Sequence, residues 1–217
     1  MRILVVDVGG SNVKLIASGQ QQPRKIDSNR CRTPRRMVSA VQRAAQGWRY
    51  DRVSIGYPGF VVEGRPVVEP ANLGRGWVGF DFRRAFGHPV KILNDAAMQA
   101  VGCYRGGRML YLGLGTGLGA ALMTPAGLLP MELAHLPYRD GRSFESFVGK
   151  RGLARLGLAR WRRTVAEMAE KLVAVLEIDD LVLGGGNAKK LVRLPRGARR
   201  VDNTNAFEGG FRIWEAR

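Results

Sequence analysis

Ile3-Leu4-Val5-Val6-Asp7-Val8-Gly9-Gly10-Ser11-Asn12-Val13-Lys14-Leu15-Ile16-Ala17 is an apolar run, a glycine turn and a second apolar run. A later stretch repeats the plan: Met109-Leu110-Tyr111-Leu112, then Gly113-Leu114-Gly115-Thr116-Gly117-Leu118-Gly119, then Ala120-Ala121-Leu122-Met123. Short apolar runs bounded by glycine predict strand–turn–strand hairpins. Such a turn exposes backbone N–H groups, and its glycines let a phosphate approach the main chain. Two of them, one in each half, predict two jaws closing on a phosphate chain. Neither is a dinucleotide fingerprint, which needs G-x-G-x-x-G opening a helix. The nucleotide P-loop is absent too, because the only Gly-Lys pair, Gly149-Lys150, is followed by Arg151. Each turn alone reads equally well as an ordinary hairpin. The pair, with Asp7 at the end of the first strand, favours the anion reading.

The chain of 217 residues has room for one large domain or two lobes around a cleft, and 45% apolar residues support a real core. Its apolar runs are strand length, well short of the roughly 20 residues that span a bilayer. Met1 leads straight into a strand, so no signal peptide and a cytoplasmic location are expected. Cys31 and Cys103, the only cysteines, have no metal spacing and read as reduced thiols. Lys and Arg total 35 against 18 Asp and Glu, a formal charge of +17, with arginines crowded in 30–36, 151–163 and 193–200. That excess suits a polyanionic partner, or it is simply an arginine-rich solvated surface.

Strands and helices alternate along the chain. Strands are expected at 3–7, 13–17, 52–57, 90–93 and 181–183. Helices are expected at 37–45 after the Thr33-Pro34 cap signal, from Asn94-Asp95 to about Cys103, over most of 153–177, and at 205–215. Each half opens with a hairpin and continues with α/β units. The predicted division is therefore 1–105, completed by a C-terminal helix 205–217, and 106–204, with the boundary near Gly106-Gly107.

Phosphoryl transfer to a hydroxyl requires a cradle for the donor, a base near the hydroxyl and contacts that hold the acceptor in line. The glycine turns are the candidate cradle. Asp95, where an apolar strand gives way to a helix, is the candidate base; it reads equally as a helix N-cap. Asn72 lies between turn signals in Glu69-Pro70-Ala71-Asn72-Leu73. Glu132 and His135 have an i, i+3 spacing that places both on one face of a helical turn. With Asn94 and Asp95 they make a set suited to sugar hydroxyls, although a lone His is more often structural.

In family order, these segments resemble the ROK (repressor, open reading frame, kinase) family of sugar kinases. Asp7–Lys14 resembles its first phosphate motif, Gly56-Tyr57-Pro58-Gly59 its glycine-proline-glycine stretch, and Ala71-Asn72-Leu73 with Trp77 its sugar loop. Asn94-Asp95-Ala96 is similar to the catalytic segment and Leu114–Gly119 to the second phosphate motif. Glu132-Leu133-Ala134-His135 resembles the sugar motif, with Ala134 where Gly is usual. Leu183-Gly184-Gly185-Gly186-Asn187 resembles the loop beside the donor's distal part. Gly113 stands where Thr is common, and the loops around 20–30 and 195–203 are short. The family's zinc-binding cysteines are missing after His135. Tyr138 with Ser143–Gly149, and Arg155 with Trp161, resemble the polyphosphate/ATP glucokinase and glucomannokinase branch instead. The repressor branch, whose DNA-binding helices precede the first phosphate motif, is not expected, since six residues precede Asp7.

The resemblance implies a two-lobed, ribonuclease-H-like α/β fold of the actin/hexokinase type with a cleft between the lobes. It implies phosphate transfer from polyphosphate or ATP to the 6-hydroxyl of glucose or a related hexose. Asp95 would be the base, and Asn72, Asn94, Glu132, His135 and Glu145 would hold the sugar. Gly9, Gly10, Ser11, Lys14, Thr116, Gly117, Gly185, Gly186 and Lys189 would hold the donor. Asp7 would orient hydrated Mg²⁺, with no directly bound metal and no structural zinc. A homodimer is expected, with neither membrane nor specific nucleic acid as partner. Two other readings stand beside this one: a non-catalytic polyanion-binding protein on a kinase scaffold, and a kinase for another hexose or an amino sugar.

Overall fold

The computed structural model describes residues 1–215, so the last two residues of the expected helix 205–217 lie outside the described residues. The chain divides into two compact units, Met1–Met98 with the C-terminal segment from Ala206, and Gln99–Asn205. The division falls inside a helix rather than at Gly106-Gly107. Met98 packs with Ile3 and Val5 of the first sheet, whereas its neighbour Gln99 accepts a hydrogen bond from Tyr111 of the second, 2.7 Å.

The first unit contains β1 (Ile3–Val8), β2 (Asn12–Ala17), β3 (Arg24–Asp27), β4 (Arg52–Tyr57), a ribbon of β5 (Val61–Val62) and β6 (Arg65–Pro66), and β7 (Val90–Asn94). Its main sheet runs β3-β2-β1-β4-β7. The first three strands form an antiparallel meander, and β4 and β7 continue in parallel. Alternation along β1 fixes what lies on each face. Leu4, Val6 and Val8 join Met37, Val38 and Val41 of helix α1 (Pro34–Ala44), with Trp77 and, from α2 (Phe82–Phe86), Phe82 and Phe86. Thr33 caps α1 through Arg36 N, 3.4 Å, with Pro34 in its first turn. On the opposite face Ile3, Val5 and Ile16 meet Ala206 and Phe207 of the C-terminal helix, Asn205–Arg212. Buried Ser54 donates to Gly210 O at 2.5 Å and accepts from Trp214 Nε1 at 2.8 Å, fastening that helix to β4.

Helix α3 (Asp95–Cys103) leads into the second unit. There β8 (Met109–Leu114), β9 (Leu118–Thr124), β10 (Gly127–Met131), a ribbon of β11 (Pro137–Arg139) and β12 (Arg142–Ser143), β13 (Asp180–Gly184) and β14 (Ala198–Arg200) follow in turn. The sheet order is β10-β9-β8-β13-β14, again a meander followed by two parallel strands. Two α/β units with one strand order agree with the ribonuclease-H-like expectation. Helix α4 (Phe144–Val148) is followed by α5 (Lys150–Leu176), which breaks at Gly157, φ 72°, a left-handed geometry that glycine adopts without strain. Trp161 of α5 is wholly buried and donates to Val148 O at 2.8 Å, so its place is in the core. Among the described residues no helix is long and apolar enough to cross a membrane.

Candidate functional site

In the first unit the predicted residues gather at the carboxyl ends of β1, β4 and β7. Asp7 and Lys14 are directly opposite across the β1–β2 hairpin, with Lys14 Nζ 3.8 Å from Asp7 Oδ2. Asp7 also pairs in register with Gly56 of β4, where an added Cβ would run into the end of Met98 and come 3.6 Å from Asp7 Oδ1. The glycine leaves room for a carboxylate that is 8% exposed. Burial pushes the Asp7 carboxyl above the usual carboxylate range, and Lys14 only partly offsets it.

That direction has a consequence for stability. A carboxyl whose folded pKa is raised stabilises the fold below its unfolded pKa and loses that contribution as pH rises through the folded value. At pH 7 the buried Asp7 carboxyl therefore works against folding. Asp7→Asn is expected to raise Tm more at pH 7 than at pH 4, as read by thermal unfolding at both. A lower Tm at pH 7 would show that the Lys14 pair outweighs burial.

The turn after β1 brings Gly10 to Asn72: a Cβ at Gly10 would lie 3.6 Å from Asn72 Cβ. The loop carrying Asn72 is braced by hydrogen bonds. The Glu69 carboxylate accepts from Gly76, Trp77 and Val78 N at 3.0, 3.1 and 3.4 Å. Desolvation pushes the Glu69 carboxyl up, but those three N–H donors and Arg75 carry it below its ordinary value. Gly74 N and Trp77 Nε1 both donate to Arg32 O, at 2.7 and 3.4 Å. Glu69 is a loop-forming residue that sequence reading passed over.

The start of α3 shows which of Asn94 and Asp95 caps the helix. Asn94 is the cap: its Oδ1 accepts from Ala96 N and Ala97 N at 3.0 and 3.2 Å, and its Nδ2 donates to Gly59 O at 3.0 Å. Asp95 is the first helical residue, and its Oδ1 accepts from Ala96 N at 2.8 Å. Asn94, expected to touch sugar, thus has both ends of its amide engaged within the protein and fixes the backbone that presents Asp95.

In the second unit, Glu132 and His135 flank a 3₁₀ turn, Leu133–His135. Their side chains are 52% and 79% exposed, with His135 Nε2 3.9 Å from Glu132 Oε2, so the i, i+3 spacing does bring them together. Glu145, expected to touch sugar, packs against the second glycine turn. Its Oε2 accepts from Leu118 N at 3.3 Å, and a Cβ on Gly117 would collide with its carboxylate, so it packs on the second glycine turn beside Thr116. Gly185, φ 82°, passes so close to this turn that a Cβ would be 2.5 Å from Leu114 O. Gly186 and Lys189 follow it, both exposed. Arg162 Nε donates to Lys190 O at 2.7 Å, joining the two basic segments of this unit. Burial raises the Cys31 thiol and pushes Cys103 up to about 11, both away from thiolate character. Among the described residues no three His, Cys, Asp or Glu side chains gather as metal ligands.

No protein-family model and no curated protein sequence matches the chain. Solved structures do. An inorganic polyphosphate/ATP-glucomannokinase from Arthrobacter is 21% identical with a TM-score of 0.80, covering 96% of each chain. A ROK family glucokinase from Streptomyces griseus, solved with glucose and AMPPNP, is 16% identical with a TM-score of 0.76, covering 98% of this chain and 99% of the other. A ROK hexokinase from Thermus thermophilus is 19% identical with a TM-score of 0.71, covering 97% of each. The chain shares the α/β fold of these ROK-family proteins over nearly its whole length.

Proposed function

We propose that the chain is a sugar kinase that moves the terminal phosphate of polyphosphate or ATP to the 6-hydroxyl of glucose or a related hexose, and that it works as a homodimer. The observation that supports this reading is the start of α3: Asn94 caps the helix, and Asp95 follows as its first residue at the end of β7, where the resemblance expects the base. Asp95 accepts the hydroxyl proton as the sugar oxygen bonds to phosphorus and the bond from phosphorus to the donor's bridging oxygen breaks. Asn72, Glu132 and His135 bind the sugar hydroxyls, and Asn94 keeps the Asp95 backbone in position. Gly9, Gly10, Ser11, Lys14, Thr116 and Gly117 hold the donor phosphates, with Gly185, Gly186 and Lys189 beyond them. Glu145, by resemblance a sugar contact, also shapes the second turn.

Mg²⁺ fits the first turn. One buried carboxylate, Asp7, suits an ion that keeps most of its waters and takes few protein ligands. When bound, the ion would neutralise charge on the donor phosphates. Asp7 would orient it through water.

The test is a donor-by-acceptor matrix on purified protein, crossing ATP and polyphosphate with a hexose and amino-sugar panel. Turnover of a hexose with either donor is expected, and none with any pair overturns the reading. Arg30, Arg35, Arg36 and Arg43 form an exposed basic face with no ion-pair partner among the described residues, and that favours a second reading as a polyanion-binding protein. Salt-sensitive retention of polyphosphate without turnover would support it.

The donor prediction follows from charge. Polyphosphate has more phosphates than ATP and no base, so its affinity should fall more steeply with salt. Lys189→Ala with Lys190→Ala is expected to weaken polyphosphate use more than ATP use, and to reduce the slope of log affinity against log salt for polyphosphate by about 1 to 2. Equal effects on both donors would place the lysines outside the donor path.

A further inference from the structure

The two glycine turns are held by one device, used twice. In the first, Ser28 Oγ donates to Gly9 O at 2.7 Å and Ser28 N donates to Ser11 O at 3.1 Å. In the second, Asn187 N donates to Leu114 O at 2.9 Å and Asn187 Nδ2 donates to Gly115 O at 3.0 Å. A single residue, distant in sequence, thus gives each turn one backbone donor and one side-chain donor, both spent on carbonyls. The remaining carbonyls of the second turn are taken as well, Thr116 O by Lys150 N and Gly117 O by Gly115 N, both at 3.1 Å. In the first turn Asn12 O accepts from Gly9 N, also at 3.1 Å.

The N–H groups show the opposite pattern. Among the described residues those of Gly10 and Ser11, and those of Thr116 and Gly117, have no protein acceptor. A carbonyl bonded to a protein donor is turned from an incoming anion, while a free N–H is ready to receive one. Each turn is therefore polarised, with two consecutive donors left open and its carbonyls tied back, all four in the second turn and those of Gly9, Ser11 and Asn12 in the first. Carbonyls free to rotate would set their negative ends against the phosphate oxygens.

We propose that Ser28 and Asn187 are positioning residues for the two anion-binding turns, each orienting its turn's donors toward phosphate by tethering its carbonyls. This deepens the kinase reading by assigning how the donor site is kept in its binding conformation. It also gives a task to Ser28, which is 3% exposed and lies in a segment otherwise without one.

The test measures anion and sugar affinity separately. Calorimetry with sodium tripolyphosphate and with glucose is run on wild type, Ser28→Ala, Ser28→Thr, Asn187→Ala and Asn187→Asp, with Tm recorded for each. Ser28→Ala and Asn187→Ala are expected to bind tripolyphosphate about 5- to 30-fold more weakly, the effect of losing one hydrogen bond that orients the turn. Glucose affinity should stay within about twofold. Ser28→Thr, which keeps the hydroxyl, should restore most of the anion affinity. Asn187→Asp, nearly isosteric, should be as weak as the alanine variant, because it sets a carboxylate against Gly115 O. Unchanged tripolyphosphate affinity in both alanine variants overturns the proposal, and so does an equal loss of glucose and tripolyphosphate affinity, which marks a general structural role. Wild type that binds tripolyphosphate but phosphorylates no sugar overturns the kinase reading and leaves the tethers standing. Wild type that does not bind tripolyphosphate overturns the tether proposal and leaves the kinase reading to the donor-by-acceptor matrix.

Discussion

Asp95→Asn is expected to lower kcat by at least about 100-fold while leaving sugar affinity and Tm close to wild type. The start of α3 makes this a clean substitution. Asn94 Oδ1 accepts from Ala96 N and Ala97 N, so the helix keeps its cap without the Asp95 carboxylate. The bond from Ala96 N to Asp95 Oδ1 needs only an acceptor oxygen, which the asparagine amide retains. What the variant loses is basicity. Steady-state kinetics with saturating donor, together with sugar binding by calorimetry, separate the two: near-normal kcat would show that Asp95 serves only to begin the helix.

The second large effect is expected in the acceptor site. Glu132→Gln and His135→Ala should each raise KM for sugar about 10- to 150-fold, the range for losing a hydrogen bond to a charged group, about 1.5–3 kcal/mol. KM for the donor should move little. Both side chains are at least half exposed and make only a long contact with each other, so removing either leaves no buried partner unsatisfied. A change in sugar KM would therefore report a lost ligand contact rather than a damaged fold. An unchanged sugar KM in both variants would remove this pair from the acceptor site.

The parts of the fold that were legible in sequence are those buried on both faces. β1 is buried at every residue, and β8 and β13 at all but one, so each reads as a plain apolar run. Three of the four edges of the two main sheets were not legible; the fourth, β7, was. β3 is Arg-Lys-Ile-Asp and largely exposed, β10 contains Pro130, and β14 is Ala-Arg-Arg. An edge strand has one partner and little burial, so its sequence follows solubility rather than packing, and Pro is tolerated there. Helices α2 and α4, five residues each, are too short to show a period.

The same distinction applies at the candidate site. Asp7, Asp95 and the two turns were readable as candidates because glycines and acids at strand ends leave a local mark, and Asn72 because it lies between turn signals. The tethers were not, because Ser28 reaches Gly9 across 19 residues and Asn187 reaches Gly115 across 72. Nothing near a serine or asparagine announces which distant carbonyl it will bind. The cap at Asn94 illustrates a smaller limit: neighbouring Asn and Asp are both good caps, and only the backbone decides between them.

The first unit's sheet has one face completed by Ala206 and Phe207, which arrive after the whole second unit has been made. During synthesis the apolar surface formed by Ile3, Val5, Ile16 and Met98 must wait for its cover. At the usual pace of translation, that wait is on the order of ten seconds. The usual order, in which the N-terminal unit finishes first, is thereby reversed. The second unit can close on itself while the first remains an unfinished sheet, open to chaperones and to mispairing. Damage to the last helix would thus act on the beginning of the chain, and the lesion would register as failed maturation of newly made protein rather than as slow loss of the finished one.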